Sequence, residues 1–166
     1  MSRINPEQSV IVFDLDDTLY AEYEYKCSGI RAVTALVAKL YPEFGETELL
    51  EKIDADGNGW LDELCALCNF NSEEKKSLLW YYRLHTPVLT PYWHPQKLAA
   101  FIRRFAAALI TDGRSLTQRL KLDALGIRCL FDEILVSESS GQEKPDGGRF
   151  YLLKKKYGMD KRYIYV

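Results

Sequence analysis

Residues 10–19 read VIVFDLDDTL, and this short stretch decides the fold. Its β-branched and aromatic start predicts a strand over residues 10–15, of the type that is buried on both faces of a parallel sheet. Three carboxylates follow within four positions, at Asp14, Asp16 and Asp17. Like charges this close disfavour each other's ionised forms unless a partner of opposite charge neutralises them. The end of this strand is therefore a candidate functional site.

Strands and helices alternate after residue 94. The pattern predicts helices over residues 95–105, 115–125 and 147–157, and strands over residues 106–111, 133–137 and 163–166. Ser115 is the expected N-cap of the second of these helices, and Gly126 is its expected stop. Such alternation predicts an α/β fold with a parallel sheet and right-handed crossovers.

The segment after the first strand is helical in character. Apolar residues at helical spacing predict helices over residues 30–40, 47–53, 60–67 and 72–82. The last of these begins with only part of a capping box, because Ser72 is followed three residues later by Lys75 and not by an acid. We expect this insertion to form a separate helical module.

The composition argues against a nucleic-acid or membrane partner. The 166 residues are 47% hydrophobic and 28% charged, with a formal net charge of −2. Lysine and arginine do not cluster into a basic face, and no apolar stretch approaches the ~20 residues that cross a bilayer. The N-terminus lacks the apolar core of a signal peptide, so we expect a cytoplasmic protein with reduced cysteines.

Three strand ends carry polar groups that suit phosphoryl transfer. Asp14 and Asp16 follow the first strand, Thr111 and Asp112 end the second, and Lys144 follows the third. In open α/β sheets the active site lies at the carboxyl ends of the strands. One carboxylate could attack phosphorus, another could carry a proton, and a hydroxyl and a lysine could hold the phosphoryl oxygens. Clustered acids beside a phosphate also favour Mg²⁺, which prefers oxygen ligands.

These motifs resemble those of the haloacid dehalogenase (HAD) superfamily of phosphohydrolases. Residues 14–18, DLDDT, match its DxDxT motif. Residues 109–113, LITDG, match a strand that ends in Thr or Ser, and residues 144–145, KP, match its Lys-Pro motif. The three motifs occur in the order that is typical of the family. The helical insertion resembles the cap that many members carry after the first motif.

The resemblance implies a role for each matching residue. Asp14 would be the nucleophile and a Mg²⁺ ligand, and Asp16 would be the general acid/base and a second ligand through its carbonyl oxygen. Thr111 and Lys144 would bind the phosphoryl group. Backbone amides would assist them, namely those of Leu15, Asp16 and Asp112. The dehalogenases of the superfamily lack an acid at the position of Asp16, so its presence favours a phosphatase.

The resemblance also implies the architecture and the type of substrate. We expect a Rossmann-like core formed by residues 1–20 and 95–166, with the sheet order 3-2-1-4 and the family's fifth strand missing. We expect residues 21–94 to form a helical cap. Since a cap leaves little room for a macromolecule, the expected substrate is a small phosphorylated metabolite.

The sequence departs from the family at its C-terminal end. In the family a fourth strand is followed by Gly-Asp and a further Asp, which complete the Mg²⁺ site. Residues 163–166 resemble that strand, and no acid follows them. We therefore expect a C-terminally truncated form with weak Mg²⁺ binding and little or no turnover. The open edge of residues 163–166 would also favour self-association.

Two other motifs are weaker. Residues 54–60, DADGNGW, resemble the start of an EF-hand, but its twelfth position, which needs a bidentate Glu, is Cys65. Cys65 and Cys68 form one CxxC motif without a second pair, so we expect them to be buried thiols in a helix rather than zinc ligands.

Three functions stay open at this point. The first is a Mg²⁺-dependent phosphatase that acts on a small phosphorylated metabolite through an aspartyl-phosphate intermediate. The second is a sugar phosphomutase of the same superfamily, and the third is a catalytically silent fragment that binds phosphate or a partner. Tyr20, Tyr23 and Arg83 are weaker candidates for contact with the substrate.

Overall fold

The structure, a computed structural model, describes residues 4–140 and 143–166. The chain divides into two units. The first comprises the residues up to Glu22 together with Leu89–Val166, and the second comprises Tyr23–Val88. Within the described residues, no helix combines the length and the apolar character that a membrane crossing requires.

The described part of the first unit is built on a four-stranded parallel sheet. Its strands are β1 (Ser9–Phe13), β2 (Ala106–Thr111), β3 (Glu133–Val136) and β4 (Arg162–Tyr165), in the order β3-β2-β1-β4. The predicted α/β fold class and the order 3-2-1-4 are therefore confirmed. Every residue of β1 is buried, as expected for a central strand that is covered on both faces.

Helices occupy most of the remaining described chain. They are α1 (Glu22–Leu40), α2 (Glu46–Lys52), α3 (Trp60–Leu67), α4 (Ser72–Leu84), α5 (Pro95–Ile102), α6 (Ser115–Ala124), α7 (Ser137–Ser140) and α8 (Gly148–Tyr157), with 3₁₀ turns at Pro6–Gln8 and Arg128–Leu130. In the first unit, Leu153 of α8 packs against the apolar side chains of β1 and β2, and this cluster forms one core of the unit.

The loop after β1 presents the acidic residues. β1 ends at Phe13, two residues earlier than predicted, because the chain turns immediately after it. Asp17 adopts a left-handed φ of 55°, which Asp and Asn tolerate better than most residues. Its carboxylate accepts a hydrogen bond from the amide of Glu22 at 2.9 Å. Asp14 and Asp16 therefore lie in the loop that follows the strand.

Two N-caps lie one residue before their predicted positions, although α4 and α6 begin at the predicted residues. The N-cap of α4 is Asn71 and not Ser72. The Asn71 side chain accepts a hydrogen bond from the amide of Glu74 at 3.1 Å, and the Glu74 carboxylate accepts one from the amide of Asn71 at 2.8 Å. The capping box is thus complete, and the prediction placed it one residue too late. The N-cap of α6 is Arg114 and not Ser115, and the Arg114 side chain makes no capping hydrogen bond.

The second unit packs α1 to α4 around its own core. Buried side chains from all four helices form this core, among them Val33, Leu49, Leu64 and Leu78. Helix α1 begins at Glu22, eight residues before the predicted start. The prediction missed its first turns because their polar and aromatic residues show no clear apolar stripe.

The two weaker motifs lie in the second unit. The acidic turn, residues 54–59, joins α2 to α3, and the Lys26 ammonium donates to the carbonyls of Asp56 at 2.8 Å and Gly57 at 2.9 Å. A lysine thus contacts oxygens that would otherwise be available to a cation. Cys65 and Cys68 are buried thiols, and burial raises the pKa of both.

A buried histidine also lies in the second unit. His85 is 4% exposed and packs beside the ring of Tyr25. Its Nδ1 donates to the carbonyl of Tyr82 at 2.6 Å, and its Nε2 lies 3.1 Å from Ser28 Oγ. Ser28 Oγ also accepts a hydrogen bond from the amide of Val88 at 2.9 Å, and its hydroxyl can donate to Nε2 of a neutral imidazole.

Because of His85, we expect the folded protein to lose stability in mild acid. Burial lowers the pKa of His85 below its ordinary value of 6.5, and the hydrogen bond to the Tyr82 carbonyl opposes this only in part. As the pH falls below about 6.5, His85 takes up a proton in the unfolded chain but not yet in the folded one. The contribution of His85 to the free energy of unfolding therefore falls until the pH reaches the pKa of His85 in the folded chain. We expect urea unfolding at pH 8 and pH 5 to show a larger loss in the wild type than in His85→Gln. Equal losses in the two proteins would contradict this.

Candidate active site

The predicted site residues come together at the carboxyl ends of the strands in the first unit. Asp14 follows β1, Thr111 ends β2, and Lys144 lies between α7 and α8. The Lys144 ammonium lies 2.5 Å from Asp14 Oδ2, although the two residues are 130 positions apart in sequence. The structure thus pairs the candidate nucleophile with the candidate phosphate-binding lysine.

Three donors hold the Asp14 carboxylate. Its Oδ1 accepts from the amide of Leu15 at 2.8 Å, and its Oδ2 accepts from Lys144 and from the hydroxyl of Tyr165 at 3.1 Å. Burial lowers the pKa of Lys144, but its hydrogen bonds to Asp14 and Tyr165 outweigh this and raise it overall. Lys144 is therefore an ammonium at neutral pH. The side chain of Asp14 is 26% exposed, so a ligand can reach it.

Three further side chains hold the Asp16 carboxylate. The hydroxyl of Tyr20 donates to Oδ1 at 2.5 Å, and the ammonium of Lys121 donates to the same oxygen at 2.7 Å. Gln118 Nε2 donates to Oδ2 at 2.8 Å and also contacts Thr111 Oγ1 at 2.6 Å. The two carboxylates therefore have separate sets of partners, although they are two residues apart.

The sequence interpretation missed Gln118 and Lys121, but a signal was present. Helix α6 and its C-cap, Leu125, have a buried stripe at positions 118, 121, 122 and 125, which is the spacing of one helical face. Two of these four positions are polar. A buried glutamine and a buried lysine inside an otherwise apolar stripe require partners, and here both find one in Asp16.

A buried arginine fixes the loop after β2. Arg149, on α8, is 1% exposed, donates to the carbonyl of Thr111 at 2.8 Å, and forms an ion pair with Asp112. The Asp112 carboxylate also accepts from the amide of Lys144 at 3.1 Å. Arg149 was not predicted, since nothing in its local sequence distinguishes it from a surface residue. It ties together the two segments that carry Thr111 and Lys144.

Gly113 allows this loop to turn. Its φ of +123° lies in a region that side chains rarely adopt, and its amide donates to Ser137 Oγ at 2.9 Å. The loops after β2 and β3 are thereby joined.

The three weaker candidates differ in their surroundings. Tyr20 is fully buried, so its connection to the site is the hydrogen bond to Asp16. Tyr23 and Arg83 belong to the second unit. Tyr23 is exposed and donates to Asp56 Oδ1 at 2.6 Å, and the guanidinium of Arg83 lies 5.2 Å from the ring centroid of Trp80. Contact of these residues with the substrate stays a prediction.

The oxygen donors at the site suit Mg²⁺. Asp14 would supply a partly exposed carboxylate, and Asp16 would supply its main-chain carbonyl. Mg²⁺ usually keeps several waters and binds through one or two carboxylates together with phosphate oxygens of the substrate. Across the described residues, no group of three or more His, Cys, Asp or Glu side chains is arranged to hold a metal ion. The residues present therefore fit this open type of Mg²⁺ site and not an all-protein cage.

Comparison with known proteins extends the resemblance. The family model for haloacid dehalogenase-like hydrolase matches residues 8–166. A glyceraldehyde 3-phosphate phosphatase from Methanocaldococcus jannaschii is 33% identical over 147 residues, which cover 81% of this chain and 64% of the relative. A protein of the same name from Methanopyrus kandleri is 28% identical over 165 residues, which cover 90% of this chain and 70% of the relative. The chain thus spans about two thirds of the length of these curated relatives.

Solved structures share the fold. A protein described as a predicted phosphoglycolate phosphatase from Haemophilus somnus has a TM-score of 0.59 at 21% identity, over 96% of this chain and 76% of its own. A 2-haloacid dehalogenase from Pseudomonas syringae pv. tomato has a TM-score of 0.60 at 19% identity, over 95% of this chain and 76% of its own. A shared fold therefore does not distinguish the two reactions. On the extent of the family match and the arrangement of its sheet, the chain belongs to the haloacid dehalogenase-like hydrolase family.

Proposed function

We propose that this protein is a Mg²⁺-dependent phosphatase that hydrolyses a small phosphorylated metabolite through an aspartyl-phosphate intermediate. The observation that carries the proposal is the pairing of Asp14 with Lys144 at 2.5 Å, beside a second acid at Asp16. A halide leaves without a proton, whereas the oxygen of a phosphate ester needs one. An acid placed next to the nucleophile therefore supports phosphate-ester cleavage over dehalogenation.

The first half of the proposed reaction transfers the phosphoryl group to the protein. An oxygen of Asp14 attacks phosphorus, and a bond between them forms as the bond from phosphorus to the substrate oxygen breaks. Asp16 gives its proton to that departing oxygen. Lys144 and Thr111, with the amides of Leu15 and Asp112, hold the phosphoryl oxygens as the charge moves.

The second half restores the protein. Water attacks phosphorus and gives a proton to Asp16, while the bond from phosphorus to Asp14 breaks and inorganic phosphate leaves. A bound Mg²⁺, held by the Asp14 carboxylate and the Asp16 carbonyl, would neutralise negative charge on the phosphoryl group.

The names of the relatives favour a small sugar phosphate as the substrate, with glyceraldehyde 3-phosphate as the first compound to test. We propose that the helical second unit acts as a cap that selects this substrate, since it follows the first motif directly in the chain. A cytoplasmic location would be consistent with such a metabolite.

The test is phosphate release by the protein expressed from its complete gene. We expect Mg²⁺-dependent release from glyceraldehyde 3-phosphate, loss of activity in EDTA, and no chloride release from 2-chloropropionate. Chloride release, or no phosphate release from any phosphorylated sugar or acid in a broad panel, would contradict the proposal. The same assay on the 166-residue chain, with Mg²⁺ titrated by calorimetry, tests the expectation of weak metal binding and low turnover.

A further inference from the structure

The Asp16 carboxylate is anchored from one side by helix α6. Lys121 and Gln118 lie one turn apart on α6, and their side chains are among the most buried polar groups of the described chain, at 4% and 1% exposure. Asp16 itself keeps 22% of its side chain exposed. A carboxylate that is open on one side is thus held on the other by two buried donors and by Tyr20.

The hydrogen bonds to the Asp16 carboxylate leave one of its acceptor positions open. An ionised carboxylate has about four acceptor positions, two on each oxygen. Tyr20 and Lys121 both donate to Oδ1, whereas Gln118 is the one described donor to Oδ2. Among the described hydrogen bonds, the free position therefore lies on Oδ2, the oxygen that shares Gln118 with Thr111.

Burial of these donors has a structural cost that a purely packing role would not need. Lysine is almost never fully buried unless it is paired, since removing its charge from water is unfavourable. An apolar side chain of similar length at position 121 would fill the same space without that cost. The burial of Gln118 and Lys121 is better explained by the hydrogen bonds that they donate to the Asp16 carboxylate.

We propose that Gln118 and Lys121 are positioning residues that hold Asp16 with Oδ2 directed towards the reacting phosphate ester. This inference rests on the proposed phosphatase function. Lys121 fixes Oδ1, and Gln118 couples Oδ2 to the phosphate-binding Thr111, so the oxygen that transfers the proton is set relative to the phosphoryl group. A small displacement of such a group is enough to slow a reaction on the order of 10²-fold.

The test compares two leaving groups in a single turnover. Cleavage of glyceraldehyde 3-phosphate needs a proton for its alkoxide, whereas 4-nitrophenolate leaves from 4-nitrophenyl phosphate without one. Misplacement of Asp16 should therefore slow the first release much more than the second. The variants are Lys121→Met and Gln118→Leu, and the matched control is Arg119→Met, which removes a cation from the same helix.

For Lys121→Met and Gln118→Leu we expect the alkoxide step to slow by at least about tenfold more than release of 4-nitrophenolate, with KM changed by less than about threefold. For Arg119→Met we expect both rates to stay within about twofold of the wild type. Urea unfolding checks that each variant is folded. Tyr20→Phe, which loses only one oxygen, replaces any variant that does not fold and should show the same selective loss.

Each outcome separates the two proposals. If the wild type cleaves neither these two esters nor any other ester of the broad panel, the proposed function fails, and the positioning role fails with it. If the wild type cleaves both and the variants slow both releases equally, Gln118 and Lys121 serve the fold alone and the positioning role is wrong. A change in KM without a change in the single-turnover rates would also overturn it, since that would place these side chains in substrate binding.

Discussion

Replacing Asp14 by asparagine should reduce phosphate release on the order of 10⁴–10⁶-fold, the scale on which loss of an essential nucleophile acts. An amide does not attack phosphorus, and it does not balance the charge of the Lys144 ammonium 2.5 Å away. The measurement is the rate of phosphate release from glyceraldehyde 3-phosphate by a protein whose mass shows that the new amide has not hydrolysed back to aspartate. Acid-quenched samples should contain no phosphorylated protein.

Asp17→Asn is the matched control for this variant. It makes the same chemical change three positions away, in the same turn, where the carboxylate accepts a hydrogen bond from Glu22 and Asn also tolerates the left-handed φ. We expect its activity to stay within about twofold of the wild type, because a surface substitution of this kind has a small effect. Near-normal turnover by Asp14→Asn would mean that the covalent route is wrong.

Replacing Asp16 by asparagine should have a smaller and different effect. The proposed nucleophile, Asp14, remains, but the proposed proton carrier is lost, and we expect this to cost on the order of 10²–10⁴ in rate. With 4-nitrophenyl phosphate, whose leaving group needs no proton, Asp14 should still be phosphorylated. The intermediate should then accumulate, because no base activates the water that removes it.

Mass spectrometry after acid quenching measures this intermediate. We expect a phosphorylated fraction in Asp16→Asn that is absent from Asp14→Asn and from the double variant. Asp16→Asn could instead show slow turnover with no phosphorylated protein under any condition. Asp16 would then act only in the phosphorylation of Asp14, and the proposed second half of the reaction would be wrong.

The sequence was sufficient for the parts of the fold that depend on local pattern. The apolar run before Asp14 and the alternation after residue 94 determine a parallel sheet, and parallel strands bring their carboxyl ends to one edge. For this reason the contact between Asp14 and Lys144 could be anticipated from motifs far apart in the chain. The N-cap of α4 was less certain, because Asn71 and Ser72 are both good capping residues and only the backbone conformation decides between them.

The partners of the site residues could not be predicted in the same way. Lys121 and Gln118 reach Asp16 across more than 100 positions, and their role depends on how α6 is rotated against the sheet. Arg149 is similar, since its contacts with Thr111 and Asp112 depend on how α8 packs against the sheet. Side-chain networks of this kind follow from tertiary packing and leave only a weak trace in the local sequence.

The hydrogen bonds that hold Asp14 and Asp16 have a consequence for how this protein could diversify. The described donors to these two carboxylates all belong to the first unit, and they are Leu15, Tyr20, Gln118, Lys121, Lys144 and Tyr165. Mutations within Tyr23–Val88 therefore replace none of these donors. In a lineage of such proteins, the chemistry would be inherited with one unit while selection on the other explored new metabolites.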